Sequence, residues 1–281
     1  MLLLVGERGA DGRVRIVEDR AKICRLGQGV AQSGRLLPEA IARTLAALTE
    51  YRDIAVQHGA EIVAVATEGL RMAGDPERFL APAQQALGAP IRIISGDEEA
   101  ELSYRSIASE HAGGPLRVLD IGGASTELVV GDGLQVFERR SHPIGSVRLT
   151  ERFVTHDPPT AHEVAQIEDT ARLAFAGQPV PPLAELHGLA GTVTSAGALM
   201  LGLGEYDRDR VDGTRFTAEQ IVALRDRLAA MTLAERVAIP ILGTGRGDVI
   251  VAGMTILVAA LQHCGATTLV VRDRGLRFAL V

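Results

Sequence analysis

The sequence contains no tryptophan, and aromatic residues make up only 3% of its 281 residues. Proteins that hold single-stranded nucleic acid stack the bases on aromatic side chains, so a nucleic-acid partner is not expected. The net charge of −6 also argues against a surface that wraps a polyanion. Lys22 is the single lysine among the 29 basic residues. The arginines suit bidentate contacts with phosphate, although an arginine-rich codon usage explains the same bias.

Cysteines and long apolar runs are also scarce. Cys24 and Cys264 are far apart in the sequence and belong to no C-x-x-C pair, so neither a disulfide framework nor a zinc site is expected. We therefore expect a reduced, cytoplasmic setting. The longest nearly apolar run, residues 249–261, is too short to span a bilayer and predicts a buried helix. No membrane partner is expected.

The most informative stretch is residues 118–130, VLDIGGASTELVV, which predicts a strand, a tight turn and a second strand. Gly122 and Gly123 have no Cβ, so the backbone can turn tightly and bring N–H groups close to an anion. Ser125 and Thr126 add hydroxyl donors. The stretch predicts a phosphate-binding hairpin, and the alternative is an ordinary hairpin with a glycine-rich bend.

Two carboxylates flank this turn, Asp120 before it and Glu127 after it. Carboxylate oxygens suit hard divalent cations, and Mg²⁺ sites usually combine one or two carboxylates with substrate phosphates and water. We therefore expect the hairpin to bind Mg²⁺, with Mn²⁺ as an alternative, directly or through water.

A second anion-binding segment is predicted near residue 190. Residues 186–195 predict a strand that runs into a helix, with Gly191 and Thr192 at the helix N-terminus. Free N–H groups and the helix dipole favour an anion at such a position. Arg246 lies just before the apolar run that predicts the buried helix.

Strand and helix patterns alternate along the chain, which predicts an α/β protein, and the length of 281 residues suggests about two domains. A weak internal repeat supports two domains, because residues 3–29, with a turn at residues 9–12, follow the same plan as residues 128–146. A Gly-Gly-Pro segment places the boundary between domains 1–114 and 115–281. The predicted helices cover residues 38–58, 76–87 and 160–176, and predicted strands cover residues 62–67, 91–95 and 267–271.

Six short segments follow one another as ATEGLR (66–71), SGDEEA (95–100), DIGGASTEL (120–128), GLAGT (188–192), RGDVI (246–250) and DRGLR (273–277). Together they resemble the ordered motifs of the exopolyphosphatase and guanosine pentaphosphate phosphohydrolase family, a branch of the actin, Hsp70 and sugar-kinase superfold. The likeness is to the short form of the family, without a C-terminal helical domain. It implies an α/β fold of two duplicated ribonuclease H-like, actin-like domains with a cleft between them.

The resemblance implies hydrolysis of the terminal phosphate of inorganic polyphosphate, or of the 5′ γ-phosphate of guanosine pentaphosphate, with Mg²⁺. Glu99 matches the family's general base, and Asp120 and Glu127 match its metal-associated carboxylates. Arg71 and Arg246 match arginines that face the phosphate chain, although on local sequence alone either could pair with a carboxylate instead. The residues that match the phosphate-holding segments are Gly122, Gly123, Ser125, Thr126, Gly191 and Thr192.

Three departures from the family pattern affect these expectations. Family members begin with a strand and a D-x-G-[ST]-N-type loop that this sequence does not contain, so we expect such a segment in frame upstream of the first codon, and weak activity without it. Ala124 replaces the third glycine of D-I-G-G-G and would crowd the turn if its φ were positive. Glu68 and Gly69 replace Ser-Ala in the first motif, which adds a negative charge near an anion site.

Two other functions stay open. A sugar or acyl kinase of the same superfold would transfer phosphate from ATP to an acceptor, and the segment at residues 96–100 argues against it. A catalytically impaired member that binds polyphosphate or nucleotide is favoured by Glu68 and by the missing loop. Homodimers are common in the family, so a homodimer is a further expectation.

Overall fold

The structure is a computed structural model that describes residues 1–9 and 14–281. The turn predicted at residues 9–12 therefore lies mostly outside the described residues. The chain forms two compact units, one made of residues 1–99 with 276–281 and the other of residues 100–275. Within the described ranges, no helix combines the length and the apolar character needed to cross a membrane.

The first unit combines two small sheets with two longer helices. Its elements are β1 (Leu2–Arg8), β2 (Val14–Ala21), α1 (Val30–Ser33), α2 (Pro38–Gln57), β3 (Ala64–Ala66), α3 (Glu68–Arg71), α4 (Glu77–Leu87), β4 (Ile91–Ile93) and a 3₁₀ helix (Leu276–Ala279). Strands β1 and β2 pair antiparallel, whereas β3 and β4 pair parallel. The helices predicted at residues 38–58 and 76–87 are confirmed, and their apolar faces meet at Leu48, Phe79 and Leu80.

The second unit is built on one mixed six-stranded sheet. Its elements are α5 (Gly96–Ala108, which starts in the first unit), β5 (Pro115–Ile121), β6 (Thr126–Asp132), β7 (Gln135–His142), α6 (Ser146–Phe153), α7 (Ala161–Phe175), β8 (Glu185–Leu189), α8 (Ala190–Met200), α9 (Arg208–Val211), β9 (Arg215–Thr217), α10 (Ala218–Ala229), α11 (Leu233–Ala238), α12 (Gly243–Arg246), α13 (Ile250–Cys264) and β10 (Thr268–Val271). The strand order is β7-β6-β5-β8-β10-β9. Strands β5, β8 and β10 run parallel, which brings their carboxyl ends to one edge of the sheet. The predicted buried helix is confirmed as α13.

Helix α5 decides where the second compact unit begins. Tyr104 and Ile107 are fully buried and pack with Val118 of β5 and Val129 of β6. Because this half of α5 covers the sheet, the unit starts at Ala100. The domain boundary placed at residues 114 and 115 stays a prediction.

Arg117 of β5 is completely buried. Its guanidinium donates hydrogen bonds to the backbone carbonyls of Cys264, Leu183 and Glu185, and more weakly to that of Pro181 at 3.3 Å. Burial lowers the pKa of this arginine, while nearby Cys264 acts to raise it. The side chain thus joins β5 to the segment that precedes β8 and to the carboxyl end of α13.

Candidate functional site

Strands β5 and β6 form the predicted glycine hairpin. Asp120 and Glu127 face each other as register partners across the pair. The turn between them is closed by the Gly122 N–H, which donates to the Ser125 carbonyl at 2.9 Å. Among the described non-glycine residues, Arg25 and Ala190 have a positive φ, and Ala124 does not. The crowding considered for Ala124 therefore does not arise, because its backbone conformation accommodates a Cβ.

Each of the two carboxylates is held by a serine. Ser103 Oγ, on α5, donates to Asp120 Oδ2 at 2.6 Å, and Ser141 Oγ, on β7, donates to Glu127 Oε1 at 2.6 Å. Ser141 is also the register partner of Glu127, so the carboxylates and this hydroxyl lie in one row on one face of the sheet. The row places two oriented carboxylates beside the glycine turn.

These carboxylate oxygens suit a hard cation that is also bound by a phosphate. Across the described residues, no group of three or more His, Cys, Asp or Glu side chains gathers into a metal site. Two carboxylates with hydroxyl support match the way Mg²⁺ is held, with substrate phosphates and water completing the shell. Glu127 is 1% exposed and Asp120 is partly exposed, so Asp120 is the better placed of the two for direct contact.

The turn is hydrogen-bonded to the first residues of α6. The Gly122 carbonyl accepts from the Ser146 N–H at 3.0 Å, and the Gly123 carbonyl accepts from the Val147 and Arg148 N–H groups at 2.9 and 3.0 Å. Carbonyl and N–H of one trans peptide point in opposite directions, so the N–H that follows Gly123 is directed away from α6. Thr126 also links the hairpin to the segment before α6, since its hydroxyl donates to the Ile144 carbonyl at 2.6 Å.

Gly145, just before α6, is a residue that the sequence alone did not mark as functional. A Cβ at this position would lie 2.4 Å from the Gly123 carbonyl oxygen and 2.6 Å from the Ala124 carbonyl carbon. Both contacts are with backbone, which cannot rotate out of the way. Only glycine therefore allows α6 to approach the hairpin this closely.

We expect Gly145→Ala to shift the hairpin and to lower the rate of the chain's reaction by about 10²-fold, the cost of a displacement of about 1 Å at a reacting site. Overpacking should also reduce the free energy of unfolding by about 1–3 kcal/mol. The matched control is Gly204→Ala, because a Cβ at Gly204 meets nothing within 4 Å. Thermal unfolding and initial rates test the pair, and equal behaviour of the two variants would show that the hairpin tolerates the change.

The second predicted segment lies next to the hairpin. Asp120 of β5 is the register partner of Leu189 of β8, so the turn after β5 and the start of α8 are neighbours at the same edge of the sheet. Gly191 and Thr192 are in the first turn of α8, as predicted, and α8 has 11 residues. Ala190 has a φ of 66°, a left-handed conformation that costs a non-glycine residue about 1–2 kcal/mol. Such strain is typical of a functional strand-to-helix junction.

Arg246 lies against the start of α8. Its Nη1 donates to the Gly191 carbonyl at 3.1 Å and to Ser195 Oγ at 2.5 Å. Burial lowers the pKa of Arg246, while nearby Tyr206 and Asp273 act to raise it. The arginine is thus brought to the predicted anion-binding helix start.

Tyr206 and Asp273 extend this end of the sheet and were not assigned a role from the sequence. The Tyr206 hydroxyl donates to Asp273 Oδ2 at 2.8 Å, and burial, followed by the charge of Asp273, raises the pKa of this tyrosine. Asp273 comes two residues after the end of β10, the third parallel strand. Its place at the start of the DRGLR segment was the one sequence signal that pointed to it.

Glu99 and Arg71 meet in the first unit. Glu99 lies in the first turn of α5 and is 8% exposed. Arg71 Nη1 donates to Glu99 Oε2 at 3.2 Å and to the Ile94 carbonyl at 2.6 Å. Its Nε and Nη2 donate to Glu68 Oε2 at 3.1 and 2.8 Å. The arginine predicted to face phosphate therefore lies between two carboxylates.

The structure brings the predicted residues together in two groups, and their roles stay predictions. The first unit holds Glu99 and Arg71. In the second unit, one edge of the sheet gathers Asp120, Gly122, Gly123, Ser125, Thr126, Glu127, Gly191, Thr192 and Arg246. Thr126 is fully buried with its hydroxyl proton on a backbone carbonyl, so its expected contact with phosphate is the least supported of the set.

Comparisons with known proteins agree with these motifs. Residues 5–280 match the Ppx/GppA phosphatase family. The chain is 38% identical over 270 residues to exopolyphosphatase 2 of Mycobacterium tuberculosis H37Rv, covering 91% of this chain and 84% of that protein. The crystal structure of the Aquifex aeolicus Ppx/GppA family member aligns with a TM-score of 0.83 at 32% identity, covering 99% of this chain and 92% of that one.

An exopolyphosphatase-like protein of known crystal structure aligns with a TM-score of 0.90 at 32% identity, covering 100% of this chain and 92% of that one. These structures share the actin-like, two-domain α/β fold, so the expected fold class is confirmed.

Proposed function

The chain belongs to the Ppx/GppA phosphatase family, and from this premise we propose that it releases the terminal phosphate of inorganic polyphosphate, the 5′ γ-phosphate of guanosine pentaphosphate, or both. The observation that carries the proposal is the Asp120–Glu127 pair beside a glycine turn, next to the strained start of α8. Phosphoryl transfer to water needs positive charge around the phosphate oxygens and a nucleophile in line with the leaving group. The residues at this edge supply the first requirement.

The terminal phosphate would be held by N–H groups and by arginine. The amide that follows Gly123 points away from α6, and the first N–H groups of α8 are the free donors of a helix N-terminus. Arg246, partly buried beside Gly191, adds a guanidinium at this point. Together these groups match the charge that spreads over the phosphate oxygens as the bond to the leaving group lengthens.

Asp120 and Glu127 would hold Mg²⁺, which, when bound, supplies charge neutralisation on the phosphate oxygens. Ser103 and Ser141 fix the direction of these two carboxylates. Glu99 would accept the proton of the attacking water, and the Arg71 guanidinium at 3.2 Å orients its carboxylate. Cytoplasmic location and a homodimer remain part of the proposal, and sedimentation of the purified protein tests the latter.

The deciding experiment measures phosphate release from polyphosphate and from guanosine pentaphosphate, with and without Mg²⁺. Release that depends on Mg²⁺ supports the proposal, and the ratio of the two kcat/KM values identifies the preferred substrate. Transfer of phosphate from ATP to a sugar or acyl acceptor would point to a kinase instead. Tight binding of polyphosphate with no release would point to an impaired binder.

Ser103 gives a test of the proposed metal site. This serine is fully buried, and its hydroxyl is a direct partner of Asp120. We expect Ser103→Ala to weaken Mg²⁺ binding by about tenfold, because partners that orient a metal ligand contribute at least that much to affinity. Calorimetric titration with Mg²⁺ measures the change. The control is Ser109→Ala, because Ser109 is exposed and directly follows α5. Equal affinities in the two variants would contradict a role for Ser103.

A further inference from the structure

The Glu68 carboxylate occupies the Nε–Nη2 edge of the Arg71 guanidinium. The Nε and Nη2 groups of the guanidinium both donate to Glu68 Oε2, at 3.1 and 2.8 Å. The Glu68 and Arg71 side chains are 19% and 20% exposed, so solvent screens this ion pair only in part. In the family motif that the segment resembles, this position is a serine, which carries no charge.

The occupied edge is the one that suits a phosphate. Two parallel N–H groups of a guanidinium bind the oxygens of a carboxylate or of a phosphate in a fork. On Arg71 this fork is directed at Glu68, while Nη1 serves the Ile94 carbonyl and Glu99. A phosphate that binds the Nε–Nη2 edge has to displace the Glu68 carboxylate.

The local charge adds to this competition. Arg71 carries one positive charge and lies between two carboxylates, with 2.8 Å to the oxygen of Glu68 and 3.2 Å to that of Glu99. An incoming phosphate therefore meets repulsion from Glu68 as well as attraction to Arg71. Removal of the Glu68 charge therefore lowers the repulsion of the phosphate and strengthens its attraction to Arg71. The contact between Arg71 Nη1 and Glu99 stays in place.

We propose that Glu68 is an internal competitor of the substrate phosphate for Arg71 and thereby sets the substrate affinity of this chain. The proposal rests on the proposed phosphohydrolase function, since it assigns Arg71 to phosphate binding. It makes Glu68 a determinant of KM and leaves the proton transfer to Glu99. Glutamate in place of serine in the first motif then lowers the affinity for substrate and leaves the hydrolysis step unchanged.

The test compares Glu68→Gln and Glu68→Ser with the original chain. Binding of an imido-bridged triphosphate, which water does not cleave, is measured by calorimetry with Mg²⁺, and KM and kcat are measured with polyphosphate. Both variants should bind the analogue about tenfold more tightly and show a KM lowered by the same factor, with kcat changed less than twofold. Asp53→Asn, which removes an exposed carboxylate paired with Arg52 on α2, should leave both values unchanged.

Arg71→Ala shows whether the effect passes through Arg71. In that background, Glu68→Gln should no longer tighten binding, because the group for which Glu68 competes is gone. Unchanged or weaker binding in both Glu68 variants, or tighter binding that persists without Arg71, overturns the inference, as does failure of every variant to bind the analogue. Binding that follows the expected pattern without any phosphate release leaves the inference standing and overturns only the proposed hydrolysis.

Discussion

Replacement of Glu99 by glutamine is expected to lower kcat for phosphate release by about 10³-fold, the middle of the range for loss of a positioned general base. Glutamine has the same shape and its carbonyl can still accept from Arg71 Nη1, which lies 3.2 Å from the present carboxylate. The amide, however, cannot take up a proton from water. Because the change removes proton transfer and keeps the packing, substrate binding should stay within about twofold of the original.

The control for this prediction is Glu98→Gln, one residue earlier. Glu98 is partly exposed and its carboxylate pairs with Arg92 at 2.5 Å, so its removal should leave kcat nearly unchanged. Initial rates of phosphate release at saturating polyphosphate, with thermal unfolding as a check of folding, measure both variants. Full activity in Glu99→Gln would remove Glu99 as the base.

The second large effect concerns stability. Arg117→Met should lower the free energy of unfolding by about 3 kcal/mol or more, because buried carbonyl groups that lose their donor cost about 1–3 kcal/mol each. The carbonyls of Leu183, Glu185 and Cys264 all accept from this one guanidinium. Methionine fills much of the same space but offers no donor to them.

Urea unfolding, followed by circular dichroism, measures this prediction. Arg139→Met is the matched control, since Arg139 is 39% exposed and makes a surface ion pair with Glu101 at 2.8 Å. Surface pairs of this kind contribute about 0–1 kcal/mol, so the control should unfold close to the original midpoint. An Arg117→Met protein as stable as the control would mean that water replaces the guanidinium at the three carbonyls.

The sequence by itself determined the features that depend on a few neighbouring residues. The helix predicted at residues 160–176 is found at Ala161–Phe175, and it starts with a capping box between Thr160 and Glu163. Helix periodicity, caps and tight glycine turns depend on residues that are close in sequence, so a short stretch of the chain contains their cause. The same holds for the glycine hairpin, for the start of α8 and for the ordered motifs that indicated the family.

Only the tertiary structure decided which groups those features meet. Ser103 reaches Asp120 across 17 positions of sequence, and Arg117 reaches the Cys264 carbonyl across 147. Glycine at position 145 is required by a backbone that arrives from another part of the chain, and Arg71 reaches Glu99, on another helix, across 28 positions. No local pattern records such pairings, because they are set by packing between elements and leave each residue's own neighbourhood in the sequence unchanged.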